Sequence, residues 1–92
     1  MAEVVWDPAA LADLNSTIAY IEQFDPQAAD RIGTRLFNLG ESLADFPHRG
    51  HPAGGSQREM TNVPPYILRY DVHGDLVTIL AIRHGARQPD AD

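Results

Sequence analysis

Apolar residues recur along this chain with two periods, a helical one in the first half and an alternating one in the second. Leu11, Leu14, Ile18 and Ile21 fall at i, i+3, i+7 and i+10, the stripe of an amphipathic helix. Asp7-Pro8 supplies its start, because Asp7 can accept from the first free amides and Pro8 sits where a missing N–H costs nothing. Trp6 and Leu11 stand at the two positions of a hydrophobic staple. The pattern predicts a helix from Pro8 to about Phe24. Asp25-Pro26 repeats the device, and Ala29, Ile32, Leu36, Leu39, Leu43 and Phe46 keep the helical period up to Pro47. So short a connection makes the two helices antiparallel neighbours. Gly33 and Gly40 share a flank of the second helix with Phe37 and Ala44. They serve either close packing against the first helix or a groove for a partner helix.

The segment from Pro47 to Gln57 is rich in Gly and Pro and has no period, so it reads as a loop or extended connector. Three strand-like runs follow, Arg58–Val63, Tyr66–Val72 and Asp75–His84. With His73-Gly74 as a two-residue turn, Tyr70 is expected opposite Val77, Arg69 opposite Thr78 and Leu68 opposite Ile79. That register gives one apolar face, Tyr66, Leu68, Tyr70, Val72, Val77, Ile79 and Ala81, for the helices to cover. The other face carries Ile67, Arg69, Asp71, Leu76, Thr78, Leu80, Ile82 and His84. The run Leu76–Ile82 is apolar on both sides and belongs inside the sheet rather than at its edge. With AEVVW as an opening strand, the order is β-α-α-β-β-β. This is an α+β domain, a helical hairpin packed on one face of a mainly antiparallel sheet.

Composition narrows the class. Ninety-two residues, 43% hydrophobic and 22% charged, fit one globular domain over residues 1–92, which buries roughly 60% of the unfolded chain's surface. The apolar run of seven residues at Leu76–Ile82 is far short of a membrane span. The N-terminus carries Glu3 and Asp7 and no basic residue, the reverse of a signal peptide, so a cytoplasmic protein is expected. With no Cys there is no disulfide framework and no thiol nucleophile. The net charge of −6 speaks against direct nucleic-acid binding. The first 46 residues carry all of that net charge, while the second half is balanced and holds all four His and five of the seven Arg. Anion or acid/base chemistry is therefore expected in the second half.

Several pieces in order resemble the RelE/ParE superfamily of bacterial type II toxins. They are the opening VVWDPAALADL, the break FDPQAADRI, the connector LADFPHRGHP, the pair Arg58-Glu59, the strand YILRYDV and the ending GDLVTILAIRHGAR. The resemblance covers about eighty residues and implies the same β-α-α-β-β-β fold. It also implies a cognate antitoxin, ParD-like or of another class, in a hetero-oligomeric complex, with no cofactor. RelE-like members cut mRNA on the ribosome, whereas ParE-like members inhibit DNA gyrase by binding and so arrest growth. Nuclease members generally carry an Arg directly after the aromatic of the second long strand, and here Ile67 follows Tyr66. The acidic balance, the WDP opening and the IRHGAR ending are similar to the ParE branch. The ParE resemblance implies no catalytic residue. A nuclease reading would rest on Arg58, Arg69 and His84, and a non-toxic member that still binds its antitoxin is a third reading.

The residues expected to bind antitoxin or target are Arg58, Arg69, Arg83, His84, Arg87 and Phe37. The three strand arginines could instead pair internally with Glu59, Asp71 or Asp75. His48 and His51 are spaced by three, but no third ligand is spaced to join them, so no metal site is expected. The polar tail, residues 88–92, is expected to be mobile.

Overall fold

A computed structural model describes residues 1–85, so Arg87 and the tail 88–92 lie outside the described residues. The elements are β1 (Glu3–Trp6), α1 (Pro8–Glu22), α2 (Pro26–Glu41), a 3-10 turn (Ser42–Ala44), β2 (His51–Pro52), β3 (Gln57–Val63), β4 (Tyr66–His73) and β5 (Leu76–His84). The strands form one sheet in the order β1-β5-β4-β3-β2. β1 runs parallel to β5, and every other pair is antiparallel. As its two-sided apolar pattern requires, β5 lies inside the sheet. Ala10 and Leu14 of α1 and Leu36 of α2 join Leu43, Met60, Leu68, Tyr70, Val77, Ile79 and Ile82 in the core.

Both helices start as the Asp-Pro pairs dictate. Asp7 Oδ2 accepts from Ala9 N at 2.9 Å, and Asp25 Oδ1 accepts from Ala28 N at 3.1 Å. α1 stops at Glu22, two residues before Phe24, because Pro26 forces the residue before it out of the helical region and Asp25 is extended at φ −158°. α2 also ends early. The Ser42 hydroxyl donates to Leu39 O at 2.6 Å and competes for a carbonyl that a continued helix would use, so the chain tightens into a 3-10 turn and leaves Phe46 exposed.

Trp6 does not act as the expected staple with Leu11, which is 42% exposed. Its ring lies over α2, stacked on Phe37 at 5.5 Å, and its indole N–H donates to Glu41 Oε2 at 3.0 Å. Gly40 admits that ring: a Cβ there would stand 2.5 Å from Trp6 Cζ2. Gly33 instead gives room to Ile18 of α1, whose Cδ1 would be 2.7 Å from an added Cβ. Close packing therefore accounts for both glycines.

Two further expectations are corrected. The connector contributes the short strand β2, where His51 and Pro52 pair with Glu59 and Arg58. The final hairpin turns one residue later than expected, on Gly74-Asp75, so His73 faces Leu76, Val72 faces Val77 and Tyr70 faces Ile79. The reason is backbone geometry: the first loop residue needs φ > 0, and Gly74 at +58° supplies it where His73 would be strained. A bulge between Tyr70 and Arg69 then skips Leu80, and Arg69 faces Ala81, Ile67 faces Arg83 and Tyr66 faces His84. This reverses the expected sides of the end of β5. Ile82 is buried under the helices, His84 follows it to that side, and Ala81 and Arg83 lie with Arg69 on the face without helices.

Candidate functional site

Residues directly opposite each other in an antiparallel pair share a face, so the observed register sorts the candidate side chains. Glu59 faces Arg69 across β3 and β4, while Arg58 faces the fully buried Tyr70. Glu59, Arg69 and Arg83 thus share the face without helices, and Arg58 and His84 are on the other.

On the helix-free face, two arginines and a histidine converge on one carboxylate. Arg69 donates from Nε and Nη2 to Glu59 Oε2 at 2.9 and 2.5 Å. Arg83 Nη2 lies 3.9 Å from the same oxygen, and His51 Nε2 is 3.7 Å from Oε1. The Glu59 side chain is only 16% exposed. A carboxylate this enclosed partly neutralises both guanidiniums, and its charge-assisted hydrogen bonds fix where Arg69 points, while Arg83 stays a looser ion pair. One Glu cannot balance two Arg, and a further carboxylate of this face is Asp71, two residues along β4 from Arg69. Near the hairpin end of the same sheet, Asp71 accepts from Ser56 Oγ and pairs with His73 Nε2 at 2.8 Å.

Arg58 has a different task. Its Nη1 donates to Gly50 O at 2.6 Å, while Gly50 N donates to the Tyr70 hydroxyl at 2.9 Å. Together they tie the connector to the sheet. Gly50 fits because a Cβ there would meet Glu59 O and the Tyr70 hydroxyl at 2.8 Å.

His84 stands edge-on to Tyr66, with ring centroids 5.4 Å apart, and lines a hollow with Ser16, Thr17 and Tyr20 of α1. Nearby, Asp13 of α1 accepts from Ile82 N at 3.0 Å. The structure therefore does not bring Arg58, Arg69 and His84 together. Arg58 and Arg69 point to opposite faces, and His84 sits at the far end of β4 from Arg58. Phe37, 43% exposed, rims a second hollow lined by Leu14, Ile18, Ala29, Asp30, Gly33 and Thr34. Among the described residues no group of three or more His, Cys, Asp or Glu could hold a metal ion. None of their helices is long and apolar enough to cross a membrane.

The central place of Glu59 was not visible from residue types alone. The Pro64-Pro65 turn, which sets Val63 opposite Tyr66, would place Glu59 opposite Tyr70 by simple extension. Only the register shift between Met60 and Val63 brings it to Arg69.

Comparison with known proteins places these features in a family. Residues 4–89 match the family described as the ParE toxin of type II toxin-antitoxin system, parDE. Toxin RelE2 of Caulobacter vibrioides is 51% identical over 87 residues, which cover 95% of this chain and 99% of that protein. The putative toxin Y4kP of Sinorhizobium fredii is 38% identical over 85 residues, covering 90% of this chain and 88% of the relative. A solved structure described as a chromosomal ParDE TA system from P. aeruginosa matches the fold with a TM-score of 0.81 at 21% identity, over 91% of this chain and 96% of that one.

Proposed function

Since this chain belongs to the ParE family of toxins of type II toxin-antitoxin systems, we propose that it works by contact, inhibiting DNA gyrase in the cytoplasm, and that a cognate antitoxin neutralises it in a hetero-oligomeric complex. The observation that carries this reading is the division of the polar side chains between two faces. RNA cleavage needs an acid/base group and cationic groups converging on one scissile phosphate. Here the acid/base groups of the arginine face, Glu59 and His51, are engaged with each other and with Arg69 and Arg83, Ile67 adds no cation to that face, and His84 lies on the other. A patch that keeps its arginines partly neutralised suits recognition of a protein surface.

Residues 1–92 act as one domain in this reading, with no cofactor. Arg69 and Arg83 meet the target or the antitoxin on the open sheet face. The Trp6–Phe37 stack and the hollow beside it offer apolar surface to the antitoxin, in the helix-in-groove manner.

A second reading, ribosome-dependent mRNA cleavage, draws on the RelE names of relatives such as toxin RelE2. It would draw on a set such as Arg58, Arg69 and His84, which the sheet divides between its two faces.

Pulse-labelling after induction of the chain without antitoxin separates the two. Failure of DNA synthesis ahead of protein synthesis, with a DNA-damage response, is the expected result; early collapse of protein synthesis would favour the nuclease.

A further inference from the structure

A second cationic site lies away from Glu59, where α2 passes the outer edge of β3. Arg35, Asn38 and Leu39 of α2, Ser42 of the 3-10 turn, Arg49 of the connector, and Asn62 and Val63 of β3 line an open cleft. Arg35 Nη2 reaches Asn62 O at 3.4 Å, and Arg49 Nη1 donates to Ser42 Oγ at 2.9 Å. In a chain with 13 acidic and 7 basic residues, neither guanidinium has a described carboxylate within 4.0 Å. Each has N–H donors left over and is exposed.

Beside these arginines the sheet has an unfilled edge. β2 pairs only with Arg58 and Glu59, so among the described residues no strand lies on the outer side of β3 from Met60 to Val63. Such an edge is a template for an added extended segment. The floor next to it is apolar, with Val63 buried and Leu39 half-buried. A bare phosphate could meet the polar lining but would leave the strand edge and the apolar floor of Leu39 and Val63 unused, and a nucleic-acid strand would approach a chain of net charge −6. A peptide that alternates acidic and apolar side chains matches all three features: edge, floor and cations.

We infer that the cleft between α2 and β3 is a docking site for an acidic segment of a partner protein, laid in extended form along the open edge of β3 with its carboxylates on Arg35 and Arg49. The inference rests on the reading that this chain works through protein contact, and it adds a surface distinct from the Glu59 patch.

The test is an NMR titration of the purified chain with a blocked six-residue peptide of alternating Glu and Val. A peptide with Gln in place of Glu and a six-nucleotide RNA serve as comparisons. Expected are shifts confined to Arg35–Ser42, Arg49 and Thr61–Val63, binding that weakens with added salt, and a loss of about tenfold in each of Arg35→Gln and Arg49→Gln, the scale of one lost charge-assisted contact. Dispersed spectra of both variants confirm that they fold. Equal binding of the Gln peptide, binding of the RNA in its place, or binding unchanged in both variants overturns the proposal. A gyrase assay on the same samples keeps the two readings apart. Gyrase inhibition without peptide binding overturns this docking site alone, and peptide binding without gyrase inhibition overturns gyrase as target while supporting the site.

Discussion

Arg69 and Glu59 face each other across β3 and β4, and Arg69 directs both Nε and Nη2 to a single oxygen of Glu59, at 2.9 and 2.5 Å. The second oxygen of that carboxylate is left toward His51, and Arg83 comes up on the first. A single acidic side chain thus organises the cations of the open sheet face.

Replacing Glu59 by Gln removes the charge while keeping the shape. Arg69 and Arg83 then repel across the face, and stability is expected to fall by about 1–2 kcal/mol, modest because both arginines are part-exposed. Inorganic phosphate should restore part of the loss by binding beside the two guanidiniums on the open face, next to the amide that fills the old carboxylate position. Thermal unfolding of Glu59→Gln with and without phosphate checks this; a variant as stable as the parent and indifferent to phosphate would show that the convergence is energetically idle.

The two helix glycines give contrasting predictions. Gly40→Ala drives a methyl into the rigid Trp6 ring and is expected to cost about 1–3 kcal/mol, with a change in Trp6 fluorescence. Gly33→Ala meets Ile18 at both Cδ1 (2.7 Å) and Cγ1 (2.8 Å), so relief needs a χ1 change that a helical Ile resists; the gain of about 1 kcal/mol in helix propensity offsets part of that strain and leaves a smaller loss than at Gly40. Urea unfolding should separate the variants clearly; equal losses would contradict the assignment of Gly40 to the Trp6 stack.

Tyr70→Phe tests the tie on the connector. Loss of the hydroxyl leaves the Gly50 N–H buried without its acceptor, an expected cost of about 1–3 kcal/mol. Amide exchange at Gly50 should accelerate more than exchange in the middle of β5. Uniform acceleration across the sheet would mean that the hydroxyl serves global stability and not the connector.

How far the residues alone carry depends on which link is asked for. The helices, their Asp-Pro starts and the interior place of β5 were legible because each rests on local chemistry, a cap, a stop or a two-sided apolar run. The register was not. A one-residue shift of the hairpin turn onto Gly74-Asp75, followed by the bulge at Leu80, moved His84 from the face of Arg69 to the helix-covered face, beside Tyr66. Bulges are set by packing between distant segments, here where Asp13 of α1 holds Ile82 N, and a strand's own pattern does not record them. For the same reason Glu59 was visible as a possible partner of the arginines but not as the point where they meet. The cleft at Arg35 and Arg49 joins residues from both halves of the chain, a juxtaposition that the charge count by halves does not record.

The central claim, toxicity by contact with gyrase, is tested most directly by adding the purified chain to a DNA supercoiling assay with bacterial gyrase. The same preparation is added to ribosomes programmed with mRNA. The account predicts blocked supercoiling, relieved by the antitoxin, and intact mRNA; cleaved mRNA with normal supercoiling would contradict it.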